Sequence, residues 1–319
     1  MLVSKAPYFF NESRPLVLGH RGSPGLFPEH SHASYSNAYV AGVDFVELDL
    51  QLTKDGFLVT NHDPFLKDTT DIEKYKDKYA DRMGSWDFRP TYGNVYKNDW
   101  LIRNFTLAEL KELRRIQRYA IRNPDFNGLF QIMTLEEVID QMFALQKSNP
   151  EANKDRKSPI GLYIETKMYA FYLEQYGENI AQKLFDVLKK YNLETVDKCK
   201  DVLPIIIECF EGESLQYFGK ISDLPLIRLM NEYNGTEAAV LLPDIATYAH
   251  GIGPRESLIF FDLFWDTARL LNLQIHPWTQ QDDMLKHTKN PVDETLFYLN
   301  KGVDGMFIEF PHLVKSVYD

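Results

Sequence analysis

The sequence predicts an α/β protein, a TIM-type (β/α)8 barrel with an inserted subdomain after its third strand candidate. Three observations predict it. Short apolar runs alternate with helical segments along most of the chain, the pattern of a parallel sheet covered by helices. The 319 residues contain no Pro/Ser/Gly linker, so one large barrel with an insertion fits better than two domains. From Pro64 to Met133 the rhythm breaks into a polar stretch rich in Lys, Asp, Tyr and Arg, and insertions at that point commonly cover a barrel's active site. The expected organisation is one domain over residues 1–319, with 64–133 as the inserted subdomain.

The strand candidates, in order, are Leu16–Gly19, Phe45–Leu50, Phe57–Asn61, Gly161–Glu165, Pro204–Phe210, Pro225–Met230, Ile252–Gly253, Leu273–His276 and Gly305–Glu309. That is nine where a closed barrel needs eight. The surplus lies around Asp49–His62, where the turn Thr53-Lys54-Asp55-Gly56 leaves no room for a helix. A simple hairpin there sends His62 to the far end of the barrel from Asp49. An outward excursion over Leu50–Thr53, with the chain climbing back through Phe57–Asn61, brings the two together. The candidate near Ile252 is short enough to drop out of the count.

Helices are expected between most strands. Thr106-Leu107-Ala108-Glu109 and Thr134-Leu135-Glu136-Glu137 match capping boxes, and Glu178–Tyr191, Phe261–Asn272 and Val292–Asn300 have helical spacing. Arg103 to Arg122, with Lys111, Arg114, Arg115 and Arg118, reads as a solvated helix face, and a phosphate- or lipid-facing patch is the alternative.

Composition sets limits on function. Apolar residues at 44% and aromatics at 13% give ample core material. A net charge of −11 argues against nucleic acid as a partner, yet leaves room for a small anionic substrate, because local charge decides that. Cys199 and Cys209 do not indicate a disulfide framework and are expected to be reduced or simply buried. Met1 to Pro15 has no apolar run of signal-peptide length, and no stretch approaches the ~18 apolar residues of a membrane span. The expectation is a cytoplasmic protein without an integral membrane segment, unless an export segment precedes this chain. No oligomeric state follows.

Glu47 and Asp49 stand two apart, so both project to one face of their strand. Alone, the pair also fits a polar-out antiparallel strand. In a barrel, two inward carboxylates are unpaired like charges, a conflict that a bound cation removes. Glu165, at the end of a later apolar run, repeats the pattern with Lys167, although a surface ion pair is the plain reading. Three carboxylates without a Cys or His cluster favour a hard divalent cation, Mg²⁺ or Ca²⁺. His20 and His62 end strand runs and are the acid–base candidates. Arg21 offers a forked donor for phosphate, and Gly22, Pro24 and Gly25 permit a tight loop beside substrate. Trp278 is a candidate pocket wall. His30 and His32 read as helix-start residues, and Glu29 as a residue able to point into the site. His250, His287 and His312 show no partner in the sequence. These parts suit metal-assisted hydrolysis of a phosphate ester.

The chain resembles the glycerophosphodiester phosphodiesterase family. The matching pieces are Gly19-His20-Arg21-Gly22, Pro28-Glu29-His30, Val46-Glu47-Leu48-Asp49, Leu52-Thr53-Lys54-Asp55-Gly56, His62-Asp63, Asp68-Thr69-Thr70-Asp71, Ile164-Glu165-Thr166-Lys167 and Gly302-Val303-Asp304-Gly305. Individually weak, they are specific as an ordered set. Pro-Glu-His, Ala249-His250-Gly251-Ile252-Gly253-Pro254 and His276-Pro277-Trp278-Thr279 look most like the periplasmic bacterial branch.

The resemblance implies a barrel with an insertion after the second catalytic histidine. It implies His20 as base and His62 as acid, Glu47, Asp49 and Glu165 on the cation, Arg21 on the phosphate, Lys167 near it, and Glu29 as a loop residue at the site. The implied substrate is a small glycerophosphodiester, cleaved to glycerol 3-phosphate and an alcohol. Two departures stand out: Glu309, where Asp is usual, is expected to adjust a rim or ligand contact, and Ser31 replaces a more usual Thr. A lysophospholipid or sphingolipid substrate is the alternative, with Trp86, Phe88, Tyr92, Tyr96 and Trp100 as its groove. A non-enzymatic phosphate-ester binder ranks last, because both histidines and all three carboxylates are present.

Overall fold

In the computed structural model, which describes residues 14–88, 95–149, 159–232 and 234–318, the apolar runs form strands β1 (Leu16–Gly19), β2 (Phe45–Leu52) and β3 (Leu58–Thr60). The insertion adds β4 (Met83–Asp87) and β5 (Val95–Trp100). There follow β6 (Gly161–Thr166), β7 (Ile205–Cys209), β8 (Leu226–Met230), β9 (Gly251–Pro254), β10 (Gln274–Ile275) and β11 (Gly305–Ile308). Eight of these pair in parallel in the order β10-β9-β8-β7-β6-β2-β1-β11. β10 is only two residues long, so the chain beyond it completes the barrel. Asp304 N donates to Ile275 O (3.0 Å), Phe307 N to Pro277 O (3.2 Å) and Gln280 N to Phe307 O (2.9 Å). The result is a nearly closed TIM barrel, as the alternation predicts.

The surplus ninth candidate is β3. It pairs antiparallel with the outer end of β2, Leu50 opposite Thr60 and Leu52 opposite Leu58. The parallel pairing of β2 with β6 stops at Leu50 and Thr166. The hairpin is therefore an excursion above the barrel rim. It descends until Asn61 N donates to Asp49 O (3.0 Å), which delivers His62 to the level of Asp49.

Two apolar layers hold the barrel. Val46, Leu48, Leu162, Ile164, Ile205 and Ile207 face outward against helical residues such as Leu184, Leu188 and Leu215. The alternate residues Leu16, Leu18, Phe45, Tyr163, Ile206, Ile227 and Phe307 fill the interior. The stretch 64–133 has its own core, in which Ile72, Tyr79, Trp100, Ile102, Phe105, Leu110, Leu113 and Ile132 pack with Val59 of β3. Cys199 and Cys209 are free and buried. Among the described residues no helix is long and apolar enough to cross a membrane.

Helices cover the barrel close to their expected positions, at Ile180–Lys190, Asp262–Leu270 and Pro291–Lys301. Both capping boxes form, but with different outcomes. Thr134 and Glu137 start the helix Leu135–Ser148, whereas Thr106 and Glu109 start only the single turn Leu107–Leu110. Arg103 to Arg122 is therefore not a solvated helix face. Arg103, Arg115 and Arg122 are buried, because each guanidinium is taken up by carbonyls or carboxylates of the surrounding structure.

Candidate active site

Strand periodicity builds the site. Two residues beyond five of these interior apolar side chains, at the C-terminal end of the barrel, the same face carries a polar group. Leu18 leads to His20, Phe45 to Glu47 and Asp49, Tyr163 to Glu165 and Lys167, Ile206 to Glu208, and Phe307 to Glu309. Register sets Asp49 opposite Glu165 and Glu165 opposite Glu208. All these polar groups line one cavity of about 650 Å³, together with Arg21, His62 and Trp278. After His20 the chain turns sharply, with Arg21 at φ +54° and Gly22 at φ +90°. A Cβ on Gly22 would come within 2.6 Å of the Ser34 backbone, so only glycine fits this turn. The turn aims Arg21 N at Glu47 Oε2 (2.6 Å).

The charges are tightly interlocked. Asp49 Oδ2 accepts from His30 Nε2 (2.9 Å) and lies 3.3 Å from Arg21 Nε, while Asp49 Oδ1 is 3.0 Å from Lys167 Nζ. Burial opposes the charge of Asp49, but Lys167, His62, His30 and Arg21 outweigh it and hold its carboxyl well below the usual range. Lys167 also meets Glu165 Oε2 at 2.5 Å. Lys167 thus stands between two of the three proposed cation ligands, and among the described residues no three carboxylate, histidine or cysteine groups converge as a ligand set.

The donor chemistry nevertheless fits a hard cation. Glu208 Oε2 is buried without a hydrogen-bond partner. Burial and the charges of Glu47 and Glu165 push Glu208 well up, and burial and Asp49 do the same to Glu47. Glu165 is pushed up to about 8, chiefly by burial. A hard cation among them would relieve this crowding of carboxylates.

Each cavity histidine is held by a carboxylate. His20 Nδ1 lies 3.0 Å from Glu309 Oε1, and His62 Nδ1 lies 3.0 Å from Asp63 Oδ1. An ionised carboxylate only accepts, so each Nδ1 carries the proton and each Nε2 is left with its lone pair. Burial and then Arg21 lower His20, while burial, Arg21 and Lys167 bring His62 down to about 4. The departure at Glu309 is therefore a contact to a catalytic candidate.

Burial works against the charge of Glu309, but its bond to His20 and the nearby Arg122 bring it down to about 2. A carboxylate depressed in the folded state stabilises above its unfolded value and loses that contribution as pH falls. Glu309→Gln is expected to cost about 3 kcal/mol at pH 7, a deficit that shrinks between pH 4.5 and 3. Urea unfolding of both proteins across that window checks it, and a deficit independent of pH would contradict it.

Other expectations are corrected. Glu29 does not line the cavity: it is buried behind Arg21, which donates to it (3.1 Å), and is gripped by Arg118 Nε and Nη2 (2.7 and 2.8 Å). His30 is not part of a helix start. It is buried at φ +56°, bonded to Asp49 through Nε2 and to the Tyr35 hydroxyl through Nδ1 (2.8 Å). Its signal in the sequence is the Pro28-Glu29-His30 match. His32 is exposed, on the first turn of the helix His32–Ala41. Trp278 does line the cavity, its Nε1 donating to Gly253 O (2.8 Å) and its ring lying under the Arg255 guanidinium (5.0 Å). Of the groove aromatics, Trp100 sits in the insertion's core and Trp86 packs on Phe65. Phe88 and Tyr96 reach the cavity, and Tyr92 lies outside the described residues.

The model of the glycerophosphoryl diester phosphodiesterase family matches residues 20–313. The chain is 33% identical to a glycerophosphodiester phosphodiesterase of Arabidopsis thaliana, covering 93% of this chain and 84% of that one. It is 30% identical to one of Bacillus subtilis, covering 95% and 86%. Among solved structures, an Oleispira antarctica phosphodiesterase in complex with the product sn-glycerol-3-phosphate superposes with a TM-score of 0.65 at 21% identity, over 96% of this chain and 98% of that one. That likeness speaks for the fold. The matched region begins at His20 and runs past Glu309, so it encloses every cavity residue described above, and the chain belongs to the glycerophosphoryl diester phosphodiesterase family.

Proposed function

We propose that this chain hydrolyses small glycerophosphodiesters to glycerol 3-phosphate and an alcohol, with His20 and His62 moving the protons and a hard divalent cation assisting. The observation that carries this reading is the pair of cavity histidines, each fixed through Nδ1 by its own carboxylate, beside a cluster of inward carboxylates. A nucleophilic oxygen, from water or from the glycerol 2-hydroxyl, bonds to phosphorus as the ester bond to the departing alcohol breaks; on the 2-hydroxyl route a water then adds to the cyclic phosphate and the bond from phosphorus to O2 breaks, giving glycerol 3-phosphate. One imidazole accepts the nucleophile's proton at Nε2, and the other donates a proton to the leaving oxygen. Both imidazoles sit below their ordinary value, so the free site holds them neutral. An anionic phosphate entering beside them raises both, which favours carrying the needed proton. Arg21 and Lys167 place permanent positive charge against the phosphate oxygens.

Glu47, Asp49 and Glu165 are the residues that would hold Mg²⁺ or Ca²⁺, with Glu208 beside them. When bound, such an ion supplies Lewis-acid polarisation of the phosphate and a more acidic nucleophile. The lysophospholipid or sphingolipid reading is not favoured, because the full-length relatives are named glycerophosphodiester phosphodiesterases and only part of the aromatic set faces the cavity.

A coupled assay for glycerol 3-phosphate release from glycerophosphocholine tests the proposal, with EDTA, Mg²⁺ and Ca²⁺ arms on wild type and His20→Ala. Release should vanish with EDTA, return with one of the cations and be lost in the variant. Release that survives both EDTA and the substitution would sink the mechanism.

A further inference from the structure

We propose that residues 115–122 of the insertion form a positioning device for catalysis, in which Arg118 and Arg122 lock the two carboxylates that orient His62 and His20. This rests on the roles given to those histidines. Asp63 gives Oδ1 to His62 and Oδ2 to Arg118 Nη1 (2.6 Å). Glu309 divides itself the same way, Oε1 to His20 and Oε2 to Arg122. Each arginine is anchored a second time, Arg118 on both oxygens of Glu29 and Arg122 on both oxygens of Asp283 (2.7 and 3.0 Å). The other side-chain donors to these carboxylates are longer: the Tyr96 hydroxyl reaches Asp63 Oδ1 at 3.4 Å and Gln281 Nε2 reaches Glu309 Oε2 at 3.2 Å. With one oxygen on the imidazole and the other on an arginine whose planar fork is anchored elsewhere, each carboxylate fixes the plane of the ring it orients.

The segment carrying these arginines is itself pinned to the barrel and the insertion. Ile116 N donates to Thr69 O (3.0 Å), Gln117 Nε2 to Pro24 O (3.0 Å) and Arg115 N to Phe130 O (2.7 Å). The insertion thereby reaches both catalytic candidates through one short stretch of chain. Arg118 and Arg122 are positioning residues, because they act through Asp63 and Glu309.

The test measures kcat, KM and thermal melting for Arg118→Gln and Arg122→Gln in the full chain with Mg²⁺. It uses glycerophosphocholine and a glycerophosphodiester whose leaving group is p-nitrophenol. On glycerophosphocholine each variant is expected to lose about 10–100-fold in kcat. The nitrophenyl ester needs no proton on its leaving oxygen. The variant that disturbs the acid should therefore regain a near wild-type rate on it, while the variant that disturbs the base should not. A tie that merely staples the insertion would lower stability without this leaving-group split. Wild-type kcat in both variants, or equal losses on both esters that track the folded fraction, would overturn the proposal.

If a glutamine variant does not fold, Arg→Lys at that position carries the test. Lysine keeps the charge but cannot grip two carboxylates with a planar fork, and roughly a tenfold loss with the same split is expected. A lysine variant with wild-type kcat would overturn the proposal. His20→Ala and His62→Ala run alongside. If they keep turnover, the catalytic reading falls and this proposal with it. If they lose turnover while the arginine variants keep theirs, only the positioning role falls.

Discussion

Replacing His62 with alanine is expected to lower kcat for a glycerophosphodiester by about 10²–10⁴-fold, as is replacing His20, with the double variant little worse than the more harmful single one. In the proposed mechanism the two imidazoles serve one displacement, in which a proton leaves the nucleophile and another reaches the departing alcohol. Once either transfer is lost, the remaining imidazole has little left to assist, so the losses should not multiply. Both rings open onto the cavity, His20 with 14% and His62 with 34% of its side chain exposed, but each is also the hydrogen-bond partner of a carboxylate, so any loss of stability is read separately from the loss of kcat. His32, exposed on the first helix, is the control whose replacement should leave kcat unchanged. Steady-state kinetics with thermal melts on the four variants check this. Single losses that multiply in the double variant would show that the two rings act in separate steps.

Arg115→Met is expected to destabilise the protein by about 1–3 kcal/mol and to reduce kcat as well. The Arg115 side chain is fully buried, and its guanidinium donates to Asn61 Oδ1 and Thr60 O. Removing it leaves the buried Thr60 carbonyl short of a donor, at about 1–3 kcal/mol, and leaves Asn61 Oδ1 with the Thr69 hydroxyl (3.1 Å) as its donor, while methionine keeps most of the volume. The kinetic effect follows from the position of those acceptors. Thr60 and Asn61 end the β2–β3 hairpin, Asn61 Nδ2 ties back to Asp63 O (2.6 Å) and Phe65 O (3.1 Å), and His62 lies between. Urea unfolding and kcat on the same samples test both halves. A variant that loses stability but keeps full kcat would show that His62 is placed without Arg115.

The barrel is legible in the sequence because its causes are local. Period-two alternation marks strands, capping residues mark helix starts, and both are written within a few neighbouring residues. The same periodicity puts Glu47 with Asp49, and Glu165 with Lys167, on the inward faces of their strands. The 3- and 4-residue spacings of Arg115, Arg118 and Arg122 look equally regular, and their local pattern is that of a solvated helix face. The fold overrides that pattern, since the helix ends at Leu110 and each guanidinium meets a distant partner.

Sequence alone determined the fold class, the family resemblance and the residues from which the site is built. Tertiary structure decided who holds whom. His20 and Glu309 stand 289 residues apart, and Arg118 is 89 residues from Glu29. His62 reaches the level of Asp49 only because β3 descends against the end of β2. Glu29 and His30 became supports of the site because barrel closure buried them beside Arg21 and Asp49. Strand and helix signals act over a few residues, whereas the pairing of buried charges is settled when the barrel closes and each must find its counter-charge away from water.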